Sequence, residues 1–112
     1  MNPKIFIFLL FITLNSCTDF NVKTSSKLKK ALREAKAGDV INLADGIYTD
    51  INRAFSPTNN GTKNKPITLR GNKKAIISNP NLDGIYLDNK KWWILEGIYI
   101  IIDYSFTTLY IW

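Results

Sequence analysis

The apolar and polar positions of the chain change pattern twice. An almost unbroken apolar run, Ile5 to Leu14, comes first. It is shorter than the roughly 20 residues a membrane-spanning helix needs. Behind the basic start at Lys4 it fits the apolar part of an export signal. A polar stretch follows. Then Leu28, Ala31, Leu32 and Ala35 recur at helical spacing, with Lys27, Lys29, Lys30, Arg33, Glu34 and Lys36 on the other faces. This predicts one helix over Lys27–Ala37, with Ser25 or Ser26 as N-cap and Gly38 as the left-handed residue that closes it.

After Gly38 the pattern turns to short β-branched runs punctuated by turn residues. Val40–Leu43, Ile47-Tyr48, Pro66–Arg70, Ala75–Ser78, Gly84–Leu87, Trp92–Leu95, Ile98–Ile102 and Thr107–Trp112 read as strands. Ser56–Lys65 reads as a polar loop. An apolar pair recurs as Ile41-x-Leu43, Ile67-x-Leu69, Ile85-x-Leu87 and Leu109-x-Ile111, with most gaps near the coil length of a solenoid, about 20 residues or a little more. A second phase runs from Ile76-Ile77 to Ile98-x-Ile100. Asn60-Gly61 lies inside a polar loop and not between alternating strands, so a tight hairpin lacks its usual signal. The expected fold is all-β: a right-handed parallel β-helix with an N-terminal capping α-helix. A sandwich fits the common period less well. A stack of coils exposes its terminal edge, and the helix stands just before the first strand, where a cap belongs.

Cysteine and charge refine this picture. The single cysteine, Cys17, follows Leu14-Asn15-Ser16, an arrangement similar to the lipobox of bacterial lipoproteins. The expected organisation is a lipoprotein-type signal over residues 1–16, Cys17 as the lipid-modified first mature residue, a tether over 17–26, and the cap helix with the first coils over 27–112. Ordinary secretion with cleavage near Ser16 or Cys17 is the alternative. The expected location is the outer membrane or cell surface, or the exterior. With one cysteine no internal disulfide can form. Lys and Arg number 15 against 9 acids, a formal net charge of +6. An exported basic protein attracts polyanions such as acidic polysaccharides. No nucleic-acid motif accompanies the charge, so no nucleic-acid partner is expected. The absence of histidine excludes Ser-His and Cys-His catalysis.

The cationic candidates for touching a polyanion are Arg70, Lys73, Lys74, Lys90 and Lys91. The two lysine pairs occupy successive turns, and stacking would align them on one edge. Trp92, Trp93, Tyr86, Tyr99, Tyr104, Tyr110 and Trp112 supply rings for sugar stacking, although alternation sends one of Trp92 and Trp93 inward. Asp83, Asp88 and Asp103 are scattered over turns, where Asp more often bonds its own backbone. No metal site and no cofactor are expected within the segment.

The string Leu28…Ala31-Leu32…Ala35-x-x-Gly38-Asp39-Val40-Ile41…Leu43-Ala44-Asp45-Gly46-x-Tyr48 resembles the opening of pectin-lyase-like β-helix proteins. Gly61-Thr62…Pro66-Ile67-Thr68-Leu69-Arg70-Gly71 and Trp93-Ile94-Leu95-Glu96-Gly97-Ile98 extend the resemblance to Ile102. Together they are most similar to the chondroitinase B and alginate lyase family, polysaccharide lyase family 6. The resemblance implies β-elimination on uronic-acid glycans: a base removes the proton α to the uronate carboxylate while a cation neutralises that carboxylate. In the family a Lys and an Arg do the acid–base work, and calcium held by Asn and Glu assists in the full-length enzymes. No position here matches the catalytic motif, which lies in middle coils, so no catalytic residue is carried over.

Thr107–Trp112 reads as a strand without a closing turn. The expectation is therefore a chain truncated after its first coils and inactive by itself, or one whose open end a second chain covers. The alternative function is a non-catalytic β-helix surface protein that binds glycans or mediates adhesion.

Overall fold

A computed structural model describes residues 17–50, 52–79, 84–101 and 108–111, the last four as backbone. The signal expected over residues 1–16 lies outside the described residues. The described residues form six strands and one helix: β1 (Asp19–Val22), α1 (Ser25–Glu34), β2 (Val40–Leu43), β3 (Gly46–Tyr48), β4 (Ile67–Ser78), β5 (Trp93–Ile101) and β6 (Thr108–Ile111). They form one sheet in the order β1-β2-β4-β5-β6, with β3 also on β4.

All pairings from β1 to β5 are parallel. The long strand β4 lies beside β2 in its first half and β3 in its second, so β2 and β3 are two arms of one coil. β5 repeats both arms, with a register shift at the corner between Arg70 and Ala75. A third side begins with the parallel bridge between Phe55 and Ile85. Alternation then dictates the core. Ile41, Leu43, Ile67, Leu69, Ala75, Ile77, Ile98 and Ile100 turn inward and are buried with Tyr48 and Phe55.

The register differs from the one the apolar pairs predict. Ile41 lies beside Leu69, and Leu69 beside Leu95, while Ile85 sits on the third side against Phe55. A shift of two residues keeps every side chain on its face, so the apolar pattern alone does not fix register. β6 departs further: it runs antiparallel to β5, with Ile98 beside Ile111. The segment between Ile101 and Thr108 is shorter than the dozen or more residues a parallel crossover requires.

The expected tether over 17–26 is also corrected. Asp19–Val22 pairs with Val40–Leu43, and Val22 is buried. Asp39 anchors this strand: its carboxylate accepts from the Thr18 N–H at 2.8 Å and from the Lys36 N–H at 2.8 Å. Helix α1 buries Leu28, Ala31 and Leu32, as its stripe predicts, and lies against β1, β2 and β3. Its N-cap is Thr24, whose hydroxyl accepts from the Lys27 N–H, whereas the Ser25 hydroxyl accepts from the Thr49 N–H at 2.9 Å. The helix ends at an extended Ala35, and Gly38 takes its positive φ in the following turn. The polar loop closes the last helical turn: the Thr58 N–H donates to Leu32 O and the Asn59 side chain to Ala35 O.

Candidate functional site

The cationic candidates fall on two different corners of the coil. Arg70, Lys73 and Lys74 occupy the corner between the arms of β4. There Lys73 adopts φ +70° and Gly97, on the next coil, φ +68°. Gly71 and Gly97 lie against each other so closely that a Cβ on either would meet the other's carbonyl oxygen. The backbones fill this corner, and its side chains are turned outward. Arg70 Nε donates to Glu96 Oε1 at 2.7 Å, a half-exposed ion pair linking residues 26 positions apart. This bond leaves the two terminal amino groups of the guanidinium fork to meet an anion. An open groove of about 440 Å³ runs between Arg70, Asn72, Lys73 and Glu96. Lys74 is exposed beside it.

Lys90 and Lys91 lie on the corner before β5, so stacking does not align them with Lys73 and Lys74. Lys90 Nζ donates to Thr58 O at 3.1 Å, and the Lys91 N–H donates to Asn60 Oδ1 at 3.0 Å. The Gly61 N–H donates in turn to Lys91 O. These bonds join the loop of one coil to the turn of the next, a structural use of the lysine pair that leaves the exposed Lys91 side chain for solvent.

The two tryptophans divide, although not by strand alternation, since β5 begins at Trp93 and Trp92 lies in the turn before it. Trp93 packs on the core, and its indole N–H donates to Asn59 O at 2.9 Å. Trp92, at φ +62°, is 50% exposed, and Tyr86 is 49% exposed. Tyr99 lies half-buried on β5. Tyr104, the side chain of Tyr110, and Trp112 lie outside the described residues, as do Asp83 and Asp103. Asp88 accepts from the side chain of its neighbour Asn89. Cys17 is free and exposed.

The sequence reading missed a buried polar corner. Asn79 is 5% exposed. Its Oδ1 accepts from the Asp50 N–H at 2.6 Å, and its Nδ2 donates to Gly84 O at 3.1 Å and faces Arg53 O at 3.4 Å. The Asp50 side chain itself is 8% exposed. The Asn52 N–H, then Lys29, holds its carboxyl below the ordinary value. Tyr48, whose hydroxyl lies within hydrogen-bond reach of Val22 O and Ala44 O, is pushed above its ordinary value by burial.

Chemically, the described surface offers cations for an anionic ligand and rings for a sugar. Among the described residues no group of three or more His, Cys, Asp or Glu side chains is placed to hold a metal ion.

Parallel coils closing on one apolar core define part of a β-helix protein. The family model for chondroitinase B matches residues 22–105, and the chain belongs to that family. Among solved structures, the PL6 family alginate lyase AlyGC is similar at 35% identity and a TM-score of 0.54 over 73% of this chain. The PL6 family polysaccharide lyase Pedsa3628 from Pseudopedobacter saltans is similar at 27% identity and a TM-score of 0.51 over 72% of this chain. The matched region spans 11% of the first and 18% of the second. No curated protein matches.

Proposed function

We propose that this chain is the N-terminal part of an exported polysaccharide lyase-like protein that acts on uronic-acid polysaccharide, of the alginate or chondroitin type, by β-elimination. The family match over residues 22–105 carries this reading. In it α1 caps the first coil, covering inward side chains that would otherwise meet water. The described coils form the base on which catalytic coils stack, and the Arg70 corner adds positive charge to the side of the stack. The chain enters the export pathway through residues 1–16, and Cys17 carries a lipid. Thr18 is already hydrogen-bonded to Asp39, so the anchor would hold the fold close to the membrane surface.

The elimination itself needs a base at the proton α to the carboxylate, a group that neutralises the carboxylate, and an acid for the leaving oxygen. No trio of described residues supplies these, and the chain alone is expected to be inactive. The test is ultraviolet absorbance of unsaturated uronate ends on alginate, chondroitin and pectate. Both the native product, isolated from its own cells, and residues 17–112 are assayed. Cleavage by the native product alone is the expected result. A native product that binds these glycans and cleaves none overturns the lyase reading in favour of a non-catalytic glycan-binding surface protein. The exposed Trp92 and Tyr86 are the observation that gives this second reading weight.

A further inference from the structure

A column of lysines and the point where the chain enters the fold meet at one corner. The turn before β2, the polar loop before β4 and the turn before β5 stack on one another there. The Gly38 N–H donates to Lys65 O at 3.0 Å, the Gly61 N–H to Lys91 O at 3.1 Å, and the Ile67 N–H to Trp92 O at 2.9 Å. Every layer carries exposed lysine: Lys36 in the first, Lys63 and Lys65 in the second, Lys91 in the third. No ion pair among the described residues engages them. The acids nearby are fewer. Asp39 is 6% exposed, and its carboxylate accepts from the Thr18 and Lys36 N–H groups. Asp88, in the third layer, and Asp19, at the start of β1, are exposed. Trp92 stands beside Lys91 with half of its surface open to solvent.

Cys17 belongs to the same corner. A Cβ on Gly38 would stand 2.7 Å from Cys17 Sγ and 3.6 Å from Lys65 Cβ. The Thr18 N–H is already bonded to Asp39, so no free tether separates Cys17 from the fold. The apolar run Ile5–Leu14 lies just before Cys17 in the sequence. A bilayer that holds this end, through that run or through a lipid on Cys17, meets this corner first.

The chemistry of the corner suits that neighbour. Lysines near an anionic leaflet add attraction one by one, and a single acyl chain needs such a basic patch beside it for stable binding. Tryptophan favours the headgroup level, where its ring is apolar and its N–H is wet. An acidic polysaccharide would also meet these lysines, but the attachment point among them favours a membrane. We infer that the corner formed by Lys36, Lys63, Lys65, Lys91 and Trp92 docks on an anionic lipid surface and fixes the coil stack in one orientation on it. The orientation rests on the membrane attachment proposed at Cys17, whereas the lysine column does not.

The experiment reconstitutes the 112-residue chain into vesicles of phosphatidylcholine, alone or in equal parts with phosphatidylglycerol. Both carry a brominated lipid that quenches tryptophan in contact with the bilayer, and Trp92→Phe assigns the signal. The expected result is quenching of Trp92 in the phosphatidylglycerol vesicles and none in phosphatidylcholine alone. The emission should recover at about 1 M salt, where the screening length falls to about 3 Å. Each Lys→Gln substitution at the corner should lower the ratio of docked to undocked chain about fivefold. The pair Lys63→Gln and Lys91→Gln should therefore lower it about 25-fold. Arg53→Gln, the same charge change on the third side of the coil, should leave the ratio unchanged. No hydrogen bond among the described residues uses the side chain of Lys63 or Lys91, so the paired variant carries the decision if Trp92→Phe does not fold.

Equal quenching in both kinds of vesicle overturns the inference, as does quenching that the paired lysine variant leaves unchanged. Trp92 emission that responds to soluble alginate and not to the vesicles also overturns it, and assigns the corner to a polysaccharide. The mass of the N-terminal peptide of the native product reports the lipid separately. A lipid on Cys17 without docking sinks the corner and keeps the anchor, and docking without a lipid does the reverse.

Discussion

Two corners turn the same coils by different means. At the first, Gly71 and Gly97 bring backbone against backbone, and Gly97 holds φ +68°. At the second, the buried Asn79 side chain reaches from its own coil to Asp50 on the coil before. The difference decides where charge goes. No side chain fits between the glycines, so Arg70, Lys73 and Lys74 flank an open groove. The asparagine fills its corner, draws in the backbone of Asp50 and Arg53, and leaves a smaller, more enclosed cavity beside them. The first corner leaves its cations along an open groove, and the second keeps the Asp50 and Asn79 side chains covered.

The comparison predicts a ranking of stability effects. Gly97→Ala should be the most damaging, at about 3 kcal/mol or more. It places a Cβ at positive φ and against the Gly71 carbonyl, combining backbone strain with overpacking. Urea unfolding of the variant measures this, and a loss below about 1 kcal/mol would mean the glycine corner is looser than described. Asn79→Ala should cost about 2 kcal/mol, because the Asp50 N–H loses its partner and Gly84 O keeps only the Phe55 N–H. If it cost more than Gly97→Ala, the asparagine corner would be the stiffer of the two.

The smallest expected effect is a pH dependence at the second corner. Asp50 is held below its ordinary value of 3.8 by the Asn52 N–H and Lys29. The folded state therefore binds a proton at Asp50 less readily than the unfolded chain. The stabilisation is fully present above the unfolded value and is lost as pH falls through the folded one. Melting temperatures should drop more steeply below about pH 4 in the wild type than in Asp50→Asn. Parallel curves for the two proteins would show that Lys29 and the Asn52 N–H do not act on Asp50 as described.

Much of the coil was legible in the sequence, for identifiable reasons. Leu28, Ala31, Leu32 and Ala35 are all buried, because a helical stripe has only one way to face a core. Of the second phase, Ile77 lies beside Ile100, while Ile98 pairs with Ala75 and Ile76 with Tyr99. The first phase slipped by two residues, since period-two alternation is unchanged by such a shift. β1 carries one buried residue, Val22, too little apolar signal to distinguish an edge strand from a tether. The glycine corner and its cations were visible as Arg70-Gly71…Lys73-Lys74. The cavity between Arg33 and Arg53 was not, because one residue lies on the polar face of a helix and the other in a loop. The Lys29–Asp50 ion pair and the Thr58 bond to Leu32 bring those segments together.

Parallel stacking of the strands creates both corners. Nuclear Overhauser contacts between backbone protons of the labelled chain test it most directly. The prediction is that Ile41, Leu69 and Leu95 form one file, and Tyr48, Ile77 and Ile100 another, each with the Hα-to-amide pattern of parallel neighbours. Close Hα-to-Hα contacts between β4 and β5, the mark of an antiparallel hairpin, would contradict the stacking and remove both corners with it.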